Sequence, residues 1–297
     1  MARSTNPGAA RPLAREAPRR ESPAPRPFLK WVGGKTQLLE QMTPLLPRSW
    51  SRYFEPFVGG AALFFDQRTR RPDMPAFLSD VNAELVSCYV AVRDDVDAVL
   101  DALDEHVYAS DHYYEVRAQR PAELPPAKRA ARTIFLNKTG YNGLYRVNRS
   151  GQFNVPFGRF TKPLFRDVEN LRACSRALRD VSIEHGDFSQ VLERAKKGDF
   201  VYFDPPYVPV SPTSDFTAYV PGGFGETEQR KLADVFRKLA KRGVHVMLSN
   251  SDTPFVRELY QGFAVDEVYA SRSVNSNAAR RGKLTEVVVR SYAGRGA

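Results

Sequence analysis

The chain is predicted to fold as an α/β protein on a doubly wound, mostly parallel sheet. Three observations carry that prediction. From Phe28 onward, short apolar runs alternate with amphipathic helical stretches; glycine pairs at Gly33-Gly34 and Gly59-Gly60 open helices; and acidic residues close two of the runs, at Asp80 and Asp204. Alternating βα units are the signature of a parallel sheet covered by helices on both faces.

Taken in order, Gly33-Gly34 leads into a helix from about Lys35 to Leu46. Tyr53–Val58 reads as a buried strand, Gly59-Gly60 as a tight turn and Ala61–Arg71 as a helix. Ala76–Asp80 is a second strand, and Asn82 starts an amphipathic helix that runs to about Val92. The stretch from Asp94 to Asn137 is helical, with breaks at Pro121 and at Pro125-Pro126. The βα alternation then resumes with Val181–His185, a helix after Asp187, and Phe200–Asp204. A helix from Glu226 to Arg242 is closed by Gly243 and followed by the strand Val244–Asn250. Phe263–Ala270 and Thr285–Tyr292 read as a closing antiparallel pair. No internal repeat is present.

Length and composition bound the function. The 297 residues can bury a sizeable core, and 42% hydrophobic with 26% charged residues describes a soluble globular protein. No stretch approaches the roughly 18 uninterrupted apolar residues of a membrane span, and the N-terminus lacks the apolar core of a signal peptide. Cys88 and Cys174 show no CxxC spacing, and the four histidines are scattered, so the chain reads as a reduced cytoplasmic protein without disulfides or a metal site. The net charge of +10 favours an anionic partner. Residues 1–27 hold six arginines and six prolines with almost no large apolar side chains, and are expected to be a disordered basic tail.

Within residues 137–166 the charge is one-sided. Lys138, Arg146, Arg149, Arg159, Lys162 and Arg166 occur with no Asp or Glu, interleaved with Tyr141, Tyr145, Phe153, Phe157, Phe160 and Phe165. Tyr145–Asn148 and Gln152–Phe157, joined by Arg149-Ser150-Gly151, read as a β-hairpin with Gly151 in the left-handed position. A two-stranded ribbon of this kind fits the major groove of DNA; the alternative is a structural hairpin that caps the sheet edge. A second basic loop, residues 273–283, reads either as a contact to nucleic-acid backbone or as a solvated loop.

Two constellations carry chemistry. Gly59-Gly60 follows a strand and opens a helix, and Asp80 ends the next strand about twenty residues on, an arrangement that cradles a nucleoside-like ligand with the acid on the ribose; a tight turn followed by an acidic helix cap gives the same pattern. The GxGxxG fingerprint of a pyrophosphate cofactor is missing. Gly34-Lys35-Thr36 resembles the end of a P-loop, but Leu29 stands where that motif needs glycine. Lys35 remains a cation suited to a carboxylate, and Trp31 a ring able to wall a pocket. The second constellation is Asp204-Pro205-Pro206-Tyr207. The two prolines donate no hydrogen bond, so the Pro205 carbonyl can stand beside the Asp204 carboxylate as a second acceptor next to an aromatic face. Two acceptors beside a ring suit a planar exocyclic amino group; an ordinary strand-to-loop turn is the plainer alternative.

FLKWVGGK, YFEPFVGGAALFF, FLSDVNAEL, FLNKTGYNGLYRVNRSGQFNVPFGR, GDF and DPPY occur in this order between Phe28 and Tyr292. Together they resemble the Dam-type DNA adenine-N6 methyltransferases. The resemblance implies a Rossmann-like domain that binds S-adenosylmethionine, made of residues 28–92 and 167–297, with a helical and β-hairpin target-recognition domain, 93–166, inserted into it. It implies that Trp31, Lys35, Asp80 and Asp204 contact the cofactor, with Asp187 or Phe188 bordering its adenine. Asp204, Pro205 and Tyr207 would act on adenine N6. Leu144, Pro156 and Arg159 would face bases, Tyr141 and Asn142 would lie near the flipped-out base, and Arg146, Asn148 and Asn154 would hold phosphates. The expected partner is double-stranded DNA, read at GATC, in a cytoplasmic, nucleoid-associated protein with no obligate protein partner. Transfer to N4 of cytosine, to RNA or to protein, and a silent DNA-binding regulator, are the rival readings; Asp at the first motif position favours adenine. A C5-cytosine mechanism is excluded because neither cysteine follows a proline.

Overall fold

The computed structural model describes residues 23–148, 150–209, 223–270 and 284–294. Its centre is a seven-stranded sheet in the order β3-β2-β1-β4-β5-β7-β6. Strands β1 (Tyr53–Glu55), β2 (Ala76–Asp80), β3 (Ser182–His185), β4 (Phe200–Phe203) and β5 (His245–Ser251) run parallel. Strands β6 (Ala264–Ala270) and β7 (Leu284–Arg290) form the expected antiparallel pair, with β7 seated between β5 and β6. The doubly wound, mostly parallel sheet is therefore present, and its strand order reverses between β1 and β4.

Local chemistry sets the element ends. All four residues of β4 are buried, as an apolar run covered on both faces requires. The run expected as a strand through Val58 pairs only to Glu55, because Pro56 has no N–H to give; one further bond, Val58 N to Ser79 O at 3.0 Å, continues the contact. Lys35–Leu38 and Thr43–Leu45 are 3-10 turns flanking α1 (Leu39–Met42). Helices α2 (Ala62–Arg70) and α3 (Ala83–Asp94) follow β1 and β2. The Asn82 side chain caps α3 by accepting from Glu84 N and Leu85 N, both at 3.1 Å.

The helical stretch breaks where its prolines fall. It comprises α4 (Val96–Asp104), α5 (Ser110–Ala118), a 3-10 turn at Pro121–Glu123 and α6 (Pro126–Thr139). Helix α6 packs on α3, α4 and α5, which joins this stretch to one face of the sheet. Helix α7 (Val168–Leu178) covers the same face, while α8 (Val191–Arg194), α9 (Glu226–Lys241) and α10 (Pro254–Leu259) cover the other. Helix α10 was not anticipated, although Thr253-Pro254 is a start signal: the Thr253 hydroxyl accepts from Val256 N at 3.2 Å and proline occupies the first turn.

The segment read as a disordered tail ends earlier than expected. Arg26 docks on α7, its N–H donating to Asn170 Oδ1 at 3.0 Å, its carbonyl accepting from Asn170 Nδ2 at 3.0 Å, and its guanidinium pairing with Asp167. A basic, proline-rich composition hid a segment whose backbone is held by one amide side chain. Residues 1–22, Arg149 and the basic loop 273–283 lie outside the described residues. Cys88 and Cys174 are buried free thiols, and no described helix is long and apolar enough to cross a membrane.

Candidate active site

Parallel strands aim their carboxyl ends at one edge of the sheet, and a doubly wound sheet opens a crevice where its order reverses. Glu55 ends β1, Asp80 ends β2 and Asp204 follows β4, so three carboxylates from adjacent strands meet at that crevice. They line a cavity of about 1040 Å³ together with Glu286 of β7, Lys35 and the 31–34 segment. A cavity that large exceeds what one drug-sized ligand needs.

On one side the cavity combines a buried acid with aromatic faces. Asp80 is buried; its Oδ2 accepts from Gly59 N at 3.3 Å and its Oδ1 from Asn82 N at 2.9 Å. Burial still outweighs those bonds and pushes its carboxyl up to about 6. Gly59 turns with φ of 43°, and a Cβ there would stand 2.8 Å from the Trp31 ring, so the turn and that ring can meet only at glycine. Trp31 in turn stacks on Tyr145, with ring centroids 5.3 Å apart. Phe188 stacks on Phe57 at 5.3 Å, with Phe224 against both, and gives the cavity an aromatic wall. Asp187 also lines the cavity, but its carboxylate is committed to Ser189 N and to Lys231 at 3.0 Å.

The Asp-Pro-Pro-Tyr turn is held by side chains from outside it. Lys35 Nζ pairs with Asp204 Oδ1 at 2.9 Å, also donates to the Gly33 carbonyl, and sits 4.8 Å from the centre of the Tyr207 ring. Gln229 of α9 donates to the Pro206 carbonyl at 2.9 Å. Asn250 of β5 accepts from Val208 N at 3.1 Å and donates to Gln229 Oε1 at 3.1 Å. The Tyr207 hydroxyl donates to Glu286 Oε2 at 2.7 Å. Among the described residues no donor reaches the Pro205 carbonyl. Asp204, 20% exposed, is pushed up to about 6 by burial, against the pull of Lys35. Lys35, expected to meet a ligand carboxylate, is thus partly spent inside the site.

The aromatic-basic segment is less regular than the expected hairpin. Val147 and Phe153, and Gly140 and Phe157, form isolated bridges; Asn148 N donates to Gln152 O at 2.8 Å and Gly151 turns with φ of 74°. The Asn148 carboxamide closes this turn by accepting from Ser150 N and Gln152 N, both at 3.0 Å. Arg146 donates to Asn154 Oδ1 at 2.7 Å, so two residues expected at phosphates lie against each other. Pro156 and Arg159 are exposed, while Leu144 is half-buried against the core. Tyr141 is 53% exposed and Asn142 adopts a left-handed φ of 54°. Buried Asn137 ties this turn to the front of the site: its amide bonds Lys30 N at 2.7 Å, Lys30 O at 2.8 Å and Gly143 O at 3.2 Å.

Several residues of the site were missed in the sequence. Glu55 is fully buried among Tyr53, Phe64 and Asp204; burial pushes its carboxyl up to about 8, against a hydrogen bond of 2.7 Å from the Tyr53 hydroxyl. Its signal was available, since it is an acid at the end of a buried strand like Asp80 and Asp204. Glu286, Gln229 and Asn250 carried no such signal. Lys30 lines the cavity with its ammonium 4.6 Å from the Phe160 ring centre, and Lys138 and Arg26 lie beside it. These three cations also line a smaller neighbouring cavity of about 240 Å³.

Comparison with known proteins agrees with this geometry. Residues 31–274 match the family described as D12 class N6 adenine-specific DNA methyltransferase. The type II methyltransferase M1.LlaDCHI of Lactococcus lactis subsp. cremoris is 40% identical over 275 residues, spanning 90% of this chain and 95% of its own length. The type II methyltransferase M.MjaIII of Methanocaldococcus jannaschii is 41% identical over 286 residues, spanning 90% of this chain and 99% of its own. The DNA adenine methylase of Escherichia coli K12 is 36% identical over 267 residues, spanning 89% and 94%. The chain belongs to the D12 class of adenine-specific DNA methyltransferases.

Proposed function

We propose that this D12-class enzyme takes its methyl group from S-adenosylmethionine and places it on N6 of the adenine of GATC, in duplex DNA with that adenine turned out of the helix. The observation that carries the reading is the state of the Asp-Pro-Pro-Tyr turn. Its Pro206 carbonyl, Val208 N–H and Tyr207 hydroxyl are occupied from within the protein, which among the described residues leaves the Pro205 carbonyl and Asp204 Oδ2 as acceptors available to a ligand in the cavity they line. An exocyclic amino group has two N–H donors, one for each.

The donor set fits the cofactor. Asp80 is an acceptor suited to ribose hydroxyls, Phe57 and Phe188 offer faces for a purine, and the acids at the strand ends suit a ligand that carries positive charge. Trp31 walls the same space and Lys35 fixes Asp204 within it. When bound, S-adenosylmethionine supplies an electrophilic methyl on sulfonium. The protein supplies position and electrostatics. Amide-like delocalisation makes adenine N6 a weak nucleophile, and hydrogen bonds to Asp204 Oδ2 and Pro205 O draw its two protons out of the ring plane and return electron density to nitrogen. The proton released when N6 bonds to carbon passes to Asp204 Oδ2. Tyr207 offers its ring as a platform for the base, which cannot be reached while stacked.

The recognition assignments follow the exposure of the segment. Pro156 and Leu144 offer apolar surface to thymine methyls, and exposed Arg159 offers a bidentate fork to guanine. Tyr141 and Asn142 are assigned to the base's exit, and Arg146, Asn148 and Asn154 to phosphates, where they would have to give up part of their bonding within the turn. Tritiated methyl transfer to duplex DNA, followed by single-molecule sequencing of DNA from cells expressing the protein, tests the reading. Modified adenine confined to GATC supports it; modified adenine in another context refutes the site while leaving the reaction.

A further inference from the structure

Tyr207 carries one hydroxyl proton and has two carboxylates to give it to. It donates to Glu286 Oε2 at 2.7 Å, and Asp204 also feels it as a hydrogen-bonding neighbour. Glu286 is a buried acid. It lies in β7, paired across from Ser251 of β5 and Val268 of β6, is 7% exposed, and precedes the buried run Val287–Val289. No Lys or Arg pairs with it among the described residues. What it touches is the motif tyrosine, and it lines the same cavity as Asp204.

Asp204 has to keep an oxygen open. Its Oδ1 is taken by Lys35 at 2.9 Å, so Oδ2 is the oxygen left for the amino group. Were the Tyr207 hydroxyl to turn to Asp204 and reach Oδ2, its proton would compete with the base for that oxygen. We propose that Glu286 is a positioning residue that draws the Tyr207 hydroxyl proton to itself, and so keeps Asp204 Oδ2 free to accept from the target amino group. The inference rests on the target-binding roles given above to Asp204 and Tyr207. It assigns Glu286 no contact with the base.

The test is a double-mutant cycle read in kcat and KM, with cofactor affinity by calorimetry, using S-adenosylmethionine, and melting temperature alongside. Glu286→Ala leaves the hydroxyl with Asp204 as its acceptor, so kcat should fall at least tenfold while KM and the cofactor Kd change less than twofold. Adding Tyr207→Phe removes the competing proton and should raise kcat at least threefold above Glu286→Ala alone. Glu286→Gln keeps a carbonyl acceptor without the charge and should stay within threefold of wild type. In Glu286→Ala the acidic limb of the kcat profile should move to lower pH, because a new donor favours ionised Asp204 and a neighbouring negative charge is gone. If Tyr207→Phe fails to improve Glu286→Ala, or if Glu286→Gln falls as far as Glu286→Ala, the hydroxyl is not being steered and the proposal is wrong. Should Glu286→Ala fail to fold, the Glu286→Gln comparison decides alone. Asp204→Ala, run in parallel, judges the underlying assignment separately: full activity there removes the reading, whereas its loss together with an additive cycle removes only the role of Glu286.

Discussion

Glu55 offers a way to measure what the strand-end acids cost the protein. Burial raises its carboxyl from 4.5 to about 8, with Asp204 adding repulsion and Tyr53 and Phe64 N–H hydrogen bonds acting the other way. A carboxyl whose folded value lies above its unfolded value favours folding fully only below about 4.5, and that advantage is lost as pH rises toward 8. At pH 7 the shortfall is about 2.5 pH units, or about 3 kcal/mol at 1.36 kcal/mol per unit. Glu55→Gln keeps an oxygen that can accept from Tyr53 and removes the titration. The variant should match wild type near pH 4.5 and exceed it progressively through pH 8. Even one-third of that figure, about 1 kcal/mol, raises Tm by roughly 2–4 °C in a domain of this size. Asp80 and Asp204 titrate in both proteins and largely cancel in the difference. The assay is differential scanning calorimetry of both proteins at half-unit steps from pH 4.5 to 9, without cofactor. Parallel Tm curves across that range would refute the argument, since they would mean that Glu55 ionises in the folded state as easily as in water.

Three further outcomes follow from the geometry. Asp204→Ala removes the acceptor for N6 but leaves the recognition segment intact, so turnover should fall by far more than DNA affinity; more than about a tenth of wild-type turnover, roughly 1.4 kcal/mol of barrier, would contradict its role. Arg159→Ala should relax preference at one outer base pair of the target by about 1–3 kcal/mol, measured by competition between substituted duplexes, while the salt dependence of binding changes little. Deletion through Pro27 removes Arg26 from Asn170 and Asp167 and should lower Tm, where a freely solvated tail would leave it unchanged.

The sheet was legible because each buried strand announced itself twice, by an apolar run and by what ended it. Phe200–Phe203 followed by Asp-Pro-Pro, and Ala76–Leu78 followed by Ser-Asp, fixed both their place and their polarity. The partners of the motif were not legible, since they come from distant elements. Gln229 sits among the charges of an amphipathic helix, and nothing in Glu226–Lys241 distinguishes it until α9 packs beside the Pro206 carbonyl. Glu286 looks like the polar half of an alternating strand until β7 is placed between two others. The hairpin was legible in outline from Gly151, but composition could not show that Asn148 is used to close the turn or that Arg146 leans on Asn154. Residues 23–27 were misread for the same reason: order there depends on Asn170, 144 positions away from Arg26.

The charge in the cavity is divided by where it comes from, which suits the two ligands of opposite sign that the proposed reaction needs. Glu55, Asp80 and Glu286 lie in strands and Asp204 directly follows one, whereas Arg26, Lys30 and Lys138 come from the N-terminal segment and α6. A parallel sheet gathers its strand ends at one place, so acids at those ends concentrate negative potential where a cationic methyl donor would lie. The cations, carried on separate elements, would suit a polyanion such as the DNA of the proposed reaction. Desolvation magnifies both effects, because unlike charges that share a dry crevice attract more strongly than they do in water. Burial has already driven the strand-end carboxyls up, Glu55 to about 8 and Asp80 and Asp204 to about 6, so ionising them in the crevice is costly. A ligand bearing positive charge relieves that cost, and the product, neutral at sulfur once the methyl has left, relieves less of it. On the reading proposed above, the strand-end acids would favour S-adenosylmethionine over the product that leaves after transfer.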